Sequence, residues 1–295
     1  MKNLFPDAAP LLREIVNFGT NTFVRCLSAA QGAPNEDMAP FAIYRHVLEM
    51  TDSIEVLVSN GCAAAADPPL RSSFEALMSI EYILEPGAAY IARSLSWLAA
   101  HARRRLRSYR NLLGTSPEKS KFLKAILEDK TVVDFPPLPQ EEIKAGIDRM
   151  EHLLAREQFN DIQAEFSRGK GEQEWFQLFD GPADRRELAR HLGRTAQYDI
   201  LYRRWSTSAH ANDFFPFITR DRSGETAVRG LRDVASTNQV TTFATTFAID
   251  ATRALLGRFH PGETWGVWYM REIKDRYMAA ANSSSESRVS SRADG

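Results

Sequence analysis

The sequence predicts an all-α protein. Apolar residues recur at three- and four-residue intervals in almost every long segment, and no stretch shows the regular alternation typical of a β-strand. Proline and glycine interrupt this pattern where one helical segment gives way to the next. We therefore expect a multi-helix bundle with a helical insertion and a disordered C-terminal tail.

Composition places the chain among ordinary soluble proteins. It has 295 residues, 43% hydrophobic and 25% charged, with a formal net charge of −1. This balance argues against a general binder of nucleic acids or anionic membranes, although a local basic patch remains open. Two cysteines are too few for a disulfide framework. Without an apolar run long enough to span a bilayer, or a leader-like first segment, the expectation is a cytoplasmic protein that does not bind membranes.

The helices follow one another along the chain with short breaks. They are expected over residues 8–30, 40–59, 67–84, 88–113, 116–130, 140–159, 184–193, 194–212, 234–256 and 265–277. Residues 160–173 are expected to form a loop or frayed extension, and residues 218–225 a polar turn or small hairpin. The predicted organisation is an N-terminal helix (1–36), a main helical domain (37–280) containing a peripheral insertion (116–173), and a disordered tail (281–295).

Two charged residues stand on a helix that is apolar nearly all round. Arg71 and Glu75 are four residues apart and can pair. On an exposed face such a pair contributes roughly 0.3–0.5 kcal/mol. Inside the protein the two charges would have to be paired and hydrogen-bonded. Both placements remain open.

A row of arginines occupies the C-terminal half of the helix at 88–113. Arg103, Arg104 and Arg107 belong to it, together with Arg105 and Arg110. Cations at a helix C-terminus suit the helix dipole, which favours a solvated face. The alternative is a surface that contacts RNA or phosphate, with Arg103, Arg104 and Arg107 as the contacts.

The stretch 194–212 concentrates most of the polar residues that suggest a site. At helical spacing, Arg203, Ser206 and His210 share one stripe, and Tyr198, Tyr202 and Ser206 form its neighbour. Asn212 follows at the end. Buried polar groups are unfavourable unless partnered, so such a cluster needs an explanation.

The residues favour one kind of chemistry over several others. The six histidines show no metal-ligand spacing, and the chain lacks a glycine-rich phosphate loop, a serine nucleophile elbow and a catalytic cysteine motif. We therefore expect no metal and no cofactor. A histidine can transfer protons at neutral pH, and an arginine can hold a phosphate bidentately. Together they suffice for phosphodiester cleavage in RNA, whose 2′-hydroxyl is the nucleophile.

These motifs resemble those of a bacterial family known only as a numbered domain of unknown function. The resemblance rests on Arg71-x3-Glu75, Leu188-Ala189 and the series Tyr198-x3-Tyr202-x3-Ser206-x3-His210, and it covers roughly residues 40–257. It implies a HEPN-like helical core. The wider HEPN superfamily is marked by Arg, four to six residues, then His, which both Arg203 and Arg204 satisfy with His210.

The HEPN resemblance implies a metal-independent ribonuclease of toxin–antitoxin or anti-phage systems. It implies a homodimer with a composite site, RNA as substrate, and an antitoxin or defence partner protein. His210 would be the acid and base, and Arg203 or Arg204 the phosphate ligand. Helix geometry favours Arg203, because the i+7 spacing places it on the same face as His210. Trp205 follows Arg204, where active members carry a small polar residue.

The alternative is a non-catalytic helical binding protein. In it, a buried polar network fixes helix packing or holds a small ligand. Its members would be Arg71, Glu75, Tyr202, Ser206 and His210. Exposure of the histidine and an arginine would favour the enzyme, and their sequestration would favour the binding protein.

Overall fold

The structure is a computed structural model. It describes residues 7–30, 37–113, 117–128, 139–169, 173–202, 204–205, 218–220, 224–228, 230–232, 236–262 and 265–279. The long helices are α1 (Ala8–Ala29), α2 (Met38–Ser59), α3 (Asp67–Leu84), α4 (Tyr90–Leu112), α5 (Pro117–Glu128), α6 (Gln140–Leu154), α7 (Asn160–Arg168), α8 (Arg185–His191) and α9 (Thr237–Phe259). Short 3-10 turns lie at Ala63–Ala66, Glu157–Phe159 and Trp175–Gln177, and π-helical turns at Gln197–Tyr202 and Tyr269–Ile273, the latter directly after a short helix at Trp265–Trp268.

The chain divides into two compact units. The first comprises residues 1–86 and 185–295, and the second residues 87–184. The segment expected to be a peripheral insertion, residues 116–173, lies within the second unit.

Four long helices form the core of the first unit. Helix α2 packs against α1, α3 and α9, and α9 also packs against α1 and α3. Leu11, Tyr44, Phe74 and Phe247 are completely buried between them. Each such side chain contributes on the order of 1.5–3 kcal/mol by leaving water, so these contacts fix the frame on which α8 and the following segment rest.

Helix α4 organises the second unit. It packs against α5, α6, α7 and the turn at Trp175–Gln177. Ile143 of α6, Phe159 before α7, and Ile162 of α7 are buried. The unit therefore has its own small core, and Arg103 and Arg110 of α4 bond to residues of α7 and α6 beside it.

The predicted all-α class is confirmed, and a small hairpin accompanies the helices. Its strands, β1 (Ile218–Arg220) and β2 (Thr226–Val228), are antiparallel with Thr219 opposite Ala227. The sequence predicts a polar turn or small hairpin at residues 218–225, and the observed hairpin extends to Val228.

Three sequence predictions about local structure are wrong. Residues 160–168 form helix α7 rather than a loop or frayed extension, because Ile162 and Phe166 give it a buried stripe despite its polar composition. The preceding helix ends at Leu154 instead of residue 159. The stretch 194–212 does not begin as a regular α-helix, because residues 197–202 form a π-helical turn. The predicted tail at 281–295 lies outside the described residues.

In the part of the chain that the structure describes, no helix combines the length and apolar character needed to cross a bilayer.

Two helical glycines provide a test of the packing in the first unit. A Cβ at Gly19 would come within 2.9 Å of the Tyr44 hydroxyl and still closer to Leu48, whereas one at Gly257 would meet nothing within 4 Å. Gly19→Ala should lower the free energy of unfolding by about 1–3 kcal/mol through overpacking. Gly257→Ala should raise it by about 0.5–1 kcal/mol, because alanine favours a helix over glycine. Denaturant unfolding measures both, and equal effects of the two substitutions would contradict this packing.

Candidate functional site

Helix α3 carries acidic residues that bond to residues 185–194. These bonds hold the start of residues 194–212, here called the candidate segment. Pro68 and Pro69 lie in its first turn, where proline is tolerated, and the helix then buries Leu70, Phe74 and Leu77. Glu75 and Glu81 remain accessible to neighbouring side chains. Each receives an arginine from residues 185–194, so the position of that segment depends on α3.

The first set of contacts, here called the α3 polar cluster, comprises Arg71, Glu75, Arg185 and Tyr202. Arg71 Nε donates to Glu75 Oε1 at 3.1 Å, and Arg71 Nη2 donates to the Tyr202 hydroxyl at 3.0 Å. Arg185 Nη1 donates to Glu75 Oε2 at 2.7 Å. The Arg71 and Glu75 side chains are 26% and 27% exposed, so the cluster lies at the rim of the core and not deep inside it.

Aromatic contacts fix Tyr202 in this cluster. The Arg71 guanidinium lies 4.9 Å from the centre of the Tyr202 ring, close enough for a cation–π interaction. The Tyr198 ring stacks on the Tyr202 ring at 4.7 Å. Trp205 is buried against Phe74 and Phe247, with ring centres 6.3 and 5.9 Å away. The segment is therefore anchored to the core at Tyr202 and again at Trp205.

Burial and the charge of Glu75 raise the pKa of the Tyr202 hydroxyl, although the hydrogen bond from Arg71 opposes the shift. Burial lowers the pKa of Arg71, but Tyr202 and Glu75 outweigh it, and the net shift is upward. Tyr202 is therefore a neutral hydrogen-bonding group and Arg71 a permanent cation at physiological pH.

The second set of contacts, here called the Arg194 tether, joins three parts of the first unit. Arg194 Nε donates to Glu81 Oε2 at 2.6 Å, and Arg194 Nη2 also bonds to Glu81. Arg194 Nη2 donates to Asp250 of α9 at 2.8 Å. The Arg194 side chain is only 13% exposed. This bidentate arrangement holds the start of the candidate segment against α3 and α9.

The carboxylates and the guanidinium of the tether respond differently to burial. Burial lowers the pKa of Arg194, but its bonds to Glu81 and Asp250 outweigh this and raise it. Burial raises the pKa of Glu81; Arg194 opposes this shift, and the charge of Asp250 adds to it. Two carboxylates thus share one largely buried cation, and Asp250 also pairs with Arg253 Nη1 at 3.7 Å.

A groove of about 630 Å³ opens beside the tether. Its charged and aromatic walls are Glu81, Arg194, Asp250, Arg253, His260 and Trp265. The Arg253 guanidinium lies 5.4 Å from the centre of the Trp265 ring. In this groove the two acidic and two arginine side chains balance in charge.

The residues predicted to form the site fall into three groups. Arg71, Glu75, Tyr198 and Tyr202 are brought together in or beside the α3 polar cluster, and Arg204 is exposed two residues further on. Arg103, Arg104 and Arg107 lie on α4 in the second unit. Arg203, Ser206, His210 and Asn212 lie outside the described residues, and their roles remain predictions.

Sequence reasoning missed Arg185, Arg194, Glu81 and Asp250 as parts of this arrangement. The signal for Glu81 was present, since it lies on the same largely apolar helix as Arg71 and Glu75. A carboxylate there needs a cation, and Arg194 follows Gly193, whose φ of 70° ends α8 and turns the chain back toward α3. Asp250 gave no comparable signal, because α9 is longer and its polar residues are mostly threonine.

In the ranges described above, no group of three histidine, cysteine, aspartate or glutamate side chains is arranged to hold a metal ion. The arginines and Tyr202 of the α3 polar cluster can bind anions and donate or accept hydrogen bonds.

Two arginines in the same region differ in burial and allow a matched test. Arg194→Gln should lower the free energy of unfolding by about 2–4 kcal/mol, because the largely buried Glu81 would lose its bidentate cation and Asp250 would keep only Arg253, 3.7 Å away. Arg186 pairs with Asp199 but its side chain is 62% exposed, so Arg186→Gln should cost less than about 1 kcal/mol. Urea unfolding of both variants makes the comparison, and equal losses would show that the Arg194 tether is not structural.

Comparisons with known proteins place this chain in a family without giving it an activity. No curated protein and no solved structure matches it significantly. A family model described as "Family of unknown function (DUF5677)" matches residues 37–225, which is more than half of the chain and includes α3, α8 and the candidate segment. The chain therefore belongs to the DUF5677 family.

Proposed function

We propose that this protein is a metal-independent endoribonuclease with a HEPN-like core. His210 would transfer the protons, and Arg203 or Arg204 would hold the phosphate. The observation that carries the proposal is the hydrogen bond between Arg71 and Tyr202. It attaches the segment bearing the Arg-x5/6-His spacing to a half-exposed polar cluster that contains two further arginines.

The surroundings of Tyr202 suit phosphate chemistry. Tyr202 and Trp205 face the core, while Arg204 between them is exposed. Arg71 and Arg185 share the carboxylate of Glu75, which orients both guanidinium groups. Preoriented arginines near a reacting phosphate stabilise the negative charge that develops in the transition state.

The reaction would use the RNA's own nucleophile. A histidine base removes the proton of the 2′-hydroxyl, the 2′-oxygen forms a bond to phosphorus, and the bond to the 5′-oxygen breaks. The 5′-oxygen then takes up a proton. The products are a 2′,3′-cyclic phosphate and a 5′-hydroxyl. In keeping with the HEPN resemblance, we propose a homodimeric toxin or anti-phage effector controlled by an antitoxin or defence partner.

This proposal predicts that His210 is essential for cleavage. The purified chain, incubated with single-stranded RNA in the presence of a chelator, should release fragments ending in a cyclic phosphate. His210→Ala should reduce the rate roughly 100- to 10,000-fold, as expected for loss of a general acid and base. His152 is exposed on α6 in the second unit, so His152→Ala is the matched control and should cleave normally.

The same variants can be induced in a bacterial host while growth and total RNA are followed. Arrest with RNA loss in the wild type and in His152→Ala, but not in His210→Ala, agrees with the proposal. Separate substitution of Arg203 and Arg204 then identifies the phosphate ligand. A His210→Ala protein that cuts RNA as fast as the wild type, or a folded wild type that cuts no RNA in vitro, rules it out.

A non-catalytic binding protein is the second candidate, and one observation favours it. Arg71, Glu75, Arg185 and Tyr202 already satisfy one another by hydrogen bonds, as a structural network would. A network of this kind fixes the packing of the candidate segment on α3 without a substrate.

The two tyrosines of the stacked pair test how far the α3 polar cluster is structural. Tyr202→Phe removes the hydroxyl that accepts from Arg71 and should lower the free energy of unfolding by about 1–3 kcal/mol. Tyr198→Phe keeps the stacked ring and should change it by less than about 0.5 kcal/mol. Thermal unfolding of both variants measures the two changes in stability. A large loss in Tyr202→Phe with unchanged RNA cleavage would assign the cluster to packing alone.

A further inference from the structure

The C-terminal half of α4 carries a row of arginines, here called the arginine ridge: Arg103, Arg104, Arg107 and Arg110. Arg103, Arg107 and Arg110 follow helical spacing and share one side of α4. The second unit as a whole has equal numbers of acidic and basic residues. The ridge is therefore a local concentration of positive charge on a neutral body.

Two grooves flank the ridge. One, of about 540 Å³, has Arg103, Arg107, Arg110, Asn111 and Gln163 among its lining residues. The other, of about 320 Å³, includes Arg103, Arg104, Arg107, Phe166 and Gln173. Because Arg103 and Arg107 line both, a chain lying in either groove would meet the same two guanidinium groups.

Neutral partners hold several of these arginines in place. Arg103 Nη1 donates to Gln163 Oε1 at 2.7 Å, and its guanidinium lies 4.6 Å from the centre of the Phe166 ring. Arg104 Nη2 lies 3.2 Å from His101 Nε2. Amide, imidazole and aromatic partners fix the orientation of a guanidinium without cancelling its charge. Arg110 differs, because Glu151 accepts from it at 2.6 Å.

Neighbouring arginine charges affect the ionisation of groups in the ridge, and one carboxylate also lines each groove, Glu151 in the first and Glu174 in the second. Burial lowers the pKa of Arg103, and the charge of Arg107 adds to the shift. Burial and then the charge of Arg104 lower the pKa of His101 to about 4. An anion beside the ridge would reverse the part of these shifts that comes from neighbouring arginines.

We infer that the arginine ridge binds the phosphate backbone of single-stranded RNA. Successive arginines four residues apart on a helix are about 6 Å apart along its axis, comparable to the distance between neighbouring phosphates of a strand. Guanidinium groups bind phosphate oxygens bidentately, and the amides of Asn111, Gln163 and Gln173 offer hydrogen bonds to sugars and bases. A flat lipid surface would not enter these grooves. The choice of RNA over DNA rests on the proposed function.

Binding through backbone phosphates has a defined signature. It tolerates changes of base sequence and weakens as salt rises, because each contact releases counterions from the strand. For a single strand, one lost contact corresponds to roughly a fivefold weaker affinity at 0.1 M salt and a salt slope smaller by about 0.7.

The experiment measures binding of fluorescent oligouridine RNA by anisotropy, over a range of salt, with His210→Ala in every protein so that the probe stays intact. Arg104→Gln should weaken binding roughly fivefold, and Arg103→Gln with Arg104→Gln roughly 25-fold. Arg156 is exposed at the end of α6, and Arg156→Gln is the matched control. Because Arg103 also packs on Phe166, Arg104→Gln alone serves as the test if the double variant does not fold.

A second readout reports directly from the ridge. In an NMR titration, saturating oligouridine should raise the pKa of His101 from about 4, because phosphate offsets the charge of Arg104. Unchanged affinity in Arg104→Gln, absence of wild-type binding at 50 mM salt, or preference for phosphatidylserine vesicles over RNA each overturns the inference.

The result is separable from the nuclease proposal. If the wild type cleaves RNA and the ridge variants bind RNA with unchanged affinity, the ridge inference is wrong and the nuclease proposal stands. If the wild type cuts no RNA but binds it through the ridge, the nuclease proposal is wrong and the ridge stands as an RNA-binding surface.

Discussion

Arg194 is a cation with a side chain only 13% exposed, held between Glu81 of α3 and Asp250 of α9. Removing a guanidinium from water is costly, and good hydrogen-bond geometry with the two carboxylates offsets that cost. Glu81 depends on Arg194 in turn, whereas Asp250 has a second cation in Arg253, 3.7 Å away. The position of the following residues, including Tyr202, depends on this tether, since α8 ends at His191 and the chain turns back at Gly193.

The Arg194 tether is one of three polar contacts that join residues 185–194 to α3 and its C-cap. Residues 185–194 supply the basic groups, and α3 with its C-cap supplies the acidic ones. Arg185 bonds to Glu75, His191 to Glu85, and Arg194 to Glu81. A segment attached at three points along one helix has little freedom to slide. This accounts for the stacking of Tyr198 on Tyr202 and for the burial of Trp205 against Phe74.

Sequence patterns predicted the long helices because their buried faces recur with helical period, as Leu70, Phe74 and Leu77 do in α3. They failed at α7, where two buried residues in nine give too weak a stripe. They also failed at residues 197–202, since a π-helical turn depends on packing and not on local composition. In the site, Arg71 and Glu75 were identified from charge on an apolar helix. Their partner Arg185 and the Arg194 tether involve residues about 110 positions apart, which periodicity cannot connect.

Arg185 and Arg194 of the first unit and Arg103 and Arg104 of the second have different kinds of partner, and this difference bears on function. Arg185 and Arg194 in the first unit bond to carboxylates, so much of their charge is neutralised within the fold. Arg103 and Arg104 in the second unit bond to an amide and an imidazole, which orient them and leave their charge intact. A protein whose total charge is close to zero can therefore still present a strong local field. Net charge argued against general nucleic-acid binding, but the partners of individual arginines support a local RNA surface on α4.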